Sequence, residues 1–274
     1  MFAKSKLSVT VGIPIWNSHA EAKAAVQDAL NQDYCCLGEI LISISDPKVE
    51  KSDFTFLLTM DARIRIIFSC AALSLYENFR RLIDEASGDL FVWFCGDDRH
   101  SANYLSFHAG QHSSISSLVL STSSYQFWEY DQKSVSLVRP LESLQINWAR
   151  VTSILLTNTG RYVVPTHLWF GVWNLEYLRK KWPMPSFDWL DLYLLQSALR
   201  SEKVTIEVNG VTDFRAGMKV NSGVKKIGSK HGVYRYVKLS CKDIVESNLS
   251  MCKKVLGFIV VFRVVLITRK INKL

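Results

Sequence analysis

Asp97 and Asp98 are adjacent carboxylates that close the stretch Gly88-Asp-Leu-Phe-Val-Trp-Phe-Cys-Gly-Asp-Asp98. Two neighbouring anions repel unless a cation or a hydrogen-bond donor shares them. A hard divalent ion, Mg²⁺ or Mn²⁺, bridging to the phosphates of a substrate is the economical use of such a pair. The plainer use is a polar turn, because Gly-Asp is ordinary turn chemistry.

The elements that must position this pair can be read outward from it. Leu90 to Cys95 is a short, wholly apolar run rich in aromatics and Val, bounded by Gly88 and Gly96. That pattern predicts a buried central strand, of the kind found in parallel sheets covered on both faces. Ligands of open α/β sheets gather outside the carboxyl ends of the strands, so the pair stands at the mouth of a site. Upstream, residues 7–16 predict a first strand ending near Ile13 or Ile15, with Pro14 marking its end or an irregular loop. Asn17-Ser18 caps a helix from His19 to Gln32, whose Ala22, Ala25, Val26, Ala29 and Leu30 form one face. Residues 39–45 give a second strand stopped by Asp46-Pro47, which completes a βαβ unit. A short helix over Phe54–Met60, an edge strand over Arg63–Phe68 and a helix over Leu75–Ser87 closed by Gly88 come next. A helix over Ala102–Gln111 follows the acidic pair.

Past residue 115 the runs shorten. Strands are expected at Leu118–Ser121, Tyr125–Tyr130 and Val135–Val138, with a hairpin break at Asp131-Gln132-Lys133. Helices are expected at Leu144–Thr157, Asn174–Lys181 and Asp188–Arg200, and late strands at Val204–Val208 and Val211–Phe214.

Composition sets the class. An apolar content of 48% with 21% charged residues suits a globular chain with a substantial core. The six cysteines contain no CxxC pair, which argues against zinc, and no signal peptide is evident at the start; reduced thiols in a cytosolic protein are expected. The net charge of +8 is unevenly placed. From Lys225 to Leu274 twelve basic residues face only Asp243 and Glu246, a local +10, which leaves −2 for residues 1–224. A near-neutral body without a nucleic-acid motif argues against a nucleic-acid partner.

Taken together, the chain resembles the family 2 glycosyltransferases of GT-A fold over roughly residues 7–215. The resemblance rests on Val11-Gly-Ile-Pro-Ile-Trp-Asn17, Ile42-Ser-Ile-Ser-Asp46, Asn78 with Ala86-Ser-Gly88, and Phe94-Cys-Gly-Asp-Asp98 at the place of the DxD motif. Phe170-Gly171 and the helix opening Phe187-Asp-Trp-Leu-Asp191 extend it. The Trp-Phe-x-Gly-Asp-Asp wording is nearest to bacterial transferases that build O-antigen and capsular sugars.

This resemblance implies a Rossmann-like, mostly parallel α/β sheet and a nucleotide-sugar donor, a UDP-sugar by preference. Pro14, Ile15 and Asn17 would line the nucleotide pocket, Asp46 would face the base and ribose, and Asn78 would join the same pocket. Asp97 or Asp98 would hold Mn²⁺ or Mg²⁺ against the diphosphate. Asp188, or failing it Asp191, stands where the family places the general base of an inverting transfer; each is equally suited to a helix start. The chain departs from the family at Cys95, which replaces the first Asp of the motif, at His19, and at Asp188-Trp189, which replaces a Glu-Asp pair. Trp169, Trp173, Trp182 and Trp189 could stack on an acceptor sugar or simply pack the core. His167 could meet a metal or phosphate, and Arg80 and Arg81 a phosphate; ordinary polar and helix-surface roles are the commoner ones.

The domain layout expected is 1–222 for the transferase, with a nucleotide-sugar half at about 1–112 and an acceptor half at about 113–222, then a basic extension over 223–274. The apolar run Val255–Thr268 is broken by Arg263 and is too short to span a bilayer. Its basic flanks suit an amphipathic helix lying on an anionic membrane surface, or else a partly buried terminal helix. The expected enzyme is thus a cytoplasmic glycosyltransferase, peripheral on the inner face of the membrane, acting on a saccharide or lipid-linked acceptor. A sugar nucleotidyltransferase is the rival enzyme, although the first strand lacks a Gly-rich phosphate loop. A non-catalytic, membrane-associated protein with a degenerate transferase fold is the rival outside enzymes.

Overall fold

The computed structural model describes residues 7–123, 125–128, 135–136, 169–183, 190–201, 203–207, 213–216, 230–247, 250–252, 254–255, 257–259 and 261–262. The expected helix at 144–157, the hairpin break at 131–133, His167, Asp188 and Trp189 lie outside these residues. The chain forms two units: residues 1–144, 170–182 and 205–217, and residues 145–169, 183–204 and 218–274.

The first unit is built on β1 (Val9–Ile15), α1 (His19–Leu30), β2 (Leu37–Ile44), a 3₁₀ helix (Lys51–Thr59) and β3 (Ile64–Phe68). α2 (Leu75–Glu85), β4 (Leu90–Trp93), β5 (Arg99–His100), α3 (Tyr104–Ser114), β6 (Leu120–Ser123), β7 (Tyr125–Trp128) and β8 (Val135–Ser136) follow. Then come β9 (Val172–Asn174), α4 (Leu175–Lys181), β10 (Val204–Glu207) and β11 (Asp213–Ala216). Seven strands form one sheet in the order β10-β6-β9-β4-β1-β2-β3. β1 is central and parallel to β2 and to β4, and β3 continues the parallel set at the expected edge. β9 departs from the parallel pattern, running antiparallel to both β4 and β6. The mostly parallel α/β expectation is met.

Strand alternation explains the two faces. Val9, Val11, Ile13 and Ile15 of β1, with Leu90, Val92 and Phe94, pack with Ala22, Ala25, Val26 and Ala29 of α1 in one buried cluster. On the alternate positions, Trp93 meets Phe79 of α2 at 5.6 Å, Phe91 at 4.9 Å, Phe170 at 6.4 Å and Trp182 at 6.1 Å between ring centres. Each buried aliphatic or aromatic side chain of this kind contributes roughly 1.5–3 kcal/mol. Ser74 and Glu77 close a capping box that fixes the start of α2.

Two local expectations are corrected. β1 ends at Ile15, one of the two expected ends, but Pro14 forms no irregular loop there; it stays in register opposite Ser43. The oxygen of Gly12 accepts from Phe94 and that of Ile15 from Ser45, so alternate residues face alternate neighbours. Pro14 therefore faces the side where β4 pairing has already stopped at Trp93, and no ladder bond is lost. Nor does Gly88 cap α2, which ends at Ala86. A Cβ on Gly88 would lie 2.8 Å from the Thr10 amide nitrogen, so close backbone approach is what requires glycine there.

A second sheet, β5-β11-β7-β8, begins directly after the acidic pair. β7 and β8 pair antiparallel as the expected hairpin requires, whereas β11 lies parallel to β7.

The second unit contains α5 (Leu190–Arg200) and α6 (Lys230–Glu246). They are joined by a buried Arg200–Asp243 ion pair at 2.9 Å and by Tyr236 Oη donating to Gln196 Oε1 at 2.7 Å. Burial pushes the Tyr236 phenol well above its ordinary pKa. Helical backbone continues at 251–252, 254–255, 257–259 and 261–262, as expected for the first part of the tail; residues 263–274 lie outside the described residues.

Candidate active site

The strand order reverses at β1: β2 and β3 lie on one side of it, β4 on the other. The crevice outside the carboxyl ends at such a switch is where ligands of open α/β sheets bind. Three loops open there, from β1, β2 and β4.

The first two loops are tied together. The Ser45 amide and hydroxyl both donate to Ile15 O at 3.0 Å, and the Asp46 amide donates to Trp16 O at 3.2 Å. Asn17 Nδ2 donates to Asp46 Oδ2 at 3.0 Å, while the Lys48 amide donates to Asp46 Oδ1 at 3.0 Å. Asp46 is half-buried and oriented from both sides. Asn78, on the first turns of α2, is buried, and its Nδ2 reaches Ser43 O at 3.2 Å and Ile15 O at 3.4 Å. Asn78 thus braces the ends of β1 and β2 and does not stand open to solvent. Pro14 is half-buried, Ile15 is buried, and the Trp16 ring between them and Asn17 is 49% exposed.

The third loop carries the acidic pair. Asp97 is exposed and Asp98 buried, with the Asp98 amide donating to Cys95 O at 3.1 Å. Arg99 pins the loop by donating to the carbonyls of Gly96, at 3.0 Å, and Asp98. Gly96 lies so close to the first turn of α1 that a Cβ would sit 2.4 Å from Glu21 Cβ. Sequence reasoning missed the clamp behind this loop. His100 stacks on Phe94 at 3.8 Å, and its Nδ1 meets Asp28 Oδ2 at 2.7 Å, all three residues being buried. The only hint in the sequence was a polar Asp28 among the small residues of the α1 face.

Several other candidates are spent elsewhere. Arg80 pairs with Asp84 at 2.6 Å, and Arg81 donates to Phe68 O at 2.7 Å. His19 meets Asp53 at 3.7 Å. Trp169, Trp173 and Trp182 are buried at 3%, 0% and 4% exposure, which is core packing and presents no open ring to a sugar. In the second unit, Asp191 is half-buried in the first turn of α5. Among the described residues, no group of three or more His, Cys, Asp or Glu gathers to cage a metal ion.

The sheet order, the switch-point crevice and the loop contents define an α/β fold of the GT-A type. Solved structures of S. aureus TarS share it. Its 1–349 fragment matches with a TM-score of 0.69 at 11% identity, over 93% of this chain and 71% of that one. The same fragment in complex with UDP-GlcNAc gives 0.67 at 11% identity, over 92% and 70%. Against full TarS the match covers 92% of this chain but 43% of that protein, so the chain spans less than half its length. At this identity the likeness establishes the fold. No protein-family model and no curated protein sequence matches the chain.

Proposed function

We propose that this chain is an inverting, metal-assisted glycosyltransferase of bacterial surface polysaccharide assembly. It moves a sugar from a nucleoside-diphosphate donor, a UDP-sugar first of all, to a saccharide or lipid-linked acceptor. The observation that carries this reading is the gathering of Trp16, Asn17 and Asp46 with the Asp97–Asp98 loop at one switch-point edge. Support comes from the TarS fragment, which shares the fold and has been solved with UDP and with UDP-GlcNAc.

The residues present suit that chemistry. An ionised carboxylate offers about four acceptor positions. Asn17 and Lys48 use two on Asp46, leaving capacity for a base N–H or a ribose hydroxyl. Mg²⁺ and Mn²⁺ are commonly held by one or two carboxylates plus substrate phosphates, which suits an exposed Asp97 beside a buried Asp98 better than a full protein cage would. The soft Cys95 thiol is a poor substitute for a hard oxygen ligand. Bound there, the ion would offset the charge gathering on the departing diphosphate. Asp188, with Asp191 as the second candidate, takes the proton of the acceptor hydroxyl. That oxygen bonds to the anomeric carbon from the face opposite the diphosphate, whose C–O bond breaks.

The test is turnover of a UDP-sugar panel with Mn²⁺ and oligosaccharide or lipid-linked acceptors, reading released UDP and the anomeric configuration by NMR. A product of inverted configuration is expected. Pyrophosphate released from a nucleoside triphosphate and a sugar phosphate would replace this reading with nucleotidyl transfer.

A further inference from the structure

We propose that the C-terminal helical segment docks on an anionic phospholipid bilayer, lying in its interface with Met251, Val255, Ile259 and Phe262 inserted. These side chains are 77%, 51%, 46% and 57% exposed. Their spacings of four, four and three place them on one stripe of a helix. Gly257 and Val261, on another side, are buried, so the segment turns one apolar side inward and leaves a second in water. A contiguous exposed apolar stripe marks a partner surface far better than scattered single side chains do.

Charge selects the partner. Residues 225–274 carry +10. Their two acids are already engaged: Asp243 is buried against Arg200, and Glu246 sits 3.8 Å from Lys242. On α6, exposed Tyr234 and Val245 accompany exposed Lys238 and Lys242, repeating the apolar-plus-basic surface. The Lys254 ammonium donates to Val245 O at 2.9 Å, linking the segment to the end of α6. Two copies meeting through such surfaces would set like charges together, and a nucleic-acid backbone has no use for the apolar stripe. An anionic interface answers both features. Among the described residues no helix is long and apolar enough to cross a membrane; a one-sided apolar stripe with basic neighbours suits a helix lying in the interface. Vesicle binding needs no donor, so this peripheral placement on an anionic membrane surface does not depend on the transferase reading.

The experiment is co-sedimentation of the full chain with vesicles of phosphatidylcholine alone or mixed with phosphatidylglycerol. Binding to the mixed vesicles only is expected. The double variant Val255→Glu/Ile259→Glu is expected to weaken it by about tenfold or more, and so is the milder Val255→Ser/Ile259→Ser by several-fold. Leu58→Glu, an exposed apolar site of the other unit, is the control that keeps binding. Thermal melting and size-exclusion chromatography establish that each variant is folded. No binding by the wild type, or undiminished binding by a folded stripe variant, overturns the proposal. A wild-type dimer that the stripe variants dissolve, without lipid binding, overturns it in favour of a second copy.

Discussion

Asp46, proposed to face the base and ribose of the donor, is held by Asn17 on one oxygen and the Lys48 amide on the other. Hydrogen bonds to a charged group are worth about 1.5–3 kcal/mol. Asp46→Asn is therefore expected to weaken UDP binding by roughly ten- to hundredfold while leaving the melting temperature nearly unchanged, as calorimetric titration would show. His100 makes the opposite prediction. His100→Ala takes the ring partner from Asp28 Oδ2, leaves that buried carboxylate only the residue-100 amide on Oδ1, and removes the ring stacked on Phe94, a loss of about 1–3 kcal/mol in urea unfolding. At this scale the sequence showed Asp46 and Asp97–Asp98 because each ends an apolar run. The Asp28–His100 pair stayed hidden because its partners are 72 positions apart and no local pattern joins them.

Elements place these residues by close approach as much as by hydrogen bonding. Gly96→Ala would drive a Cβ into Glu21 of α1 and displace the acidic loop. The expected outcome is a loss of about 1–3 kcal/mol and weaker Mn²⁺-dependent nucleotide binding, followed by parallel melting and titration. In the second unit, Arg200→Ala removes the ion-pair partner of the buried Asp243 and should cost about 3 kcal/mol, whereas Arg200→Met with Asp243→Leu should recover most of it. β1, β2, β4, α1 and α2 were legible because each is one apolar run or one face with a cap. β9, with three residues, and β5, with two, carry no periodicity of their own; their strand character comes from pairing with distant partners. For the same reason, the antiparallel insertion of β9 and the parallel β11–β7 pair were unreadable in advance.

Across the whole molecule, charge divides the chain into a near-neutral body and a basic end. Glu39 accepts from Arg65, Ser87 and Thr10 deep on β2, and these bonds outweigh burial and hold its carboxyl below the ordinary range. A lowered folded-state pKa means stability that is complete above the unfolded value, about 4.3, and lost as pH falls through the folded value. Glu39→Gln should accordingly flatten the decline of stability on acidification, measured by urea unfolding at stepped pH. The interleaving of the two units, in which residues 170–182 and 205–217 return to the first, was not visible in composition because it is a matter of chain path. In the proposed function, one edge of the large sheet binds a nucleotide donor through a metal held by Asp97 and Asp98. The most direct test is melting temperature with a panel of nucleotides and nucleotide-sugars, with and without Mn²⁺, for the wild type and Asp97→Ala/Asp98→Ala. A ligand that binds only the folded state raises that temperature by mass action. Stabilisation of the wild type by UDP or a UDP-sugar only when metal is present, and none for the variant, is the expected result. Equal stabilisation of both proteins, or no response to any nucleotide, would contradict it.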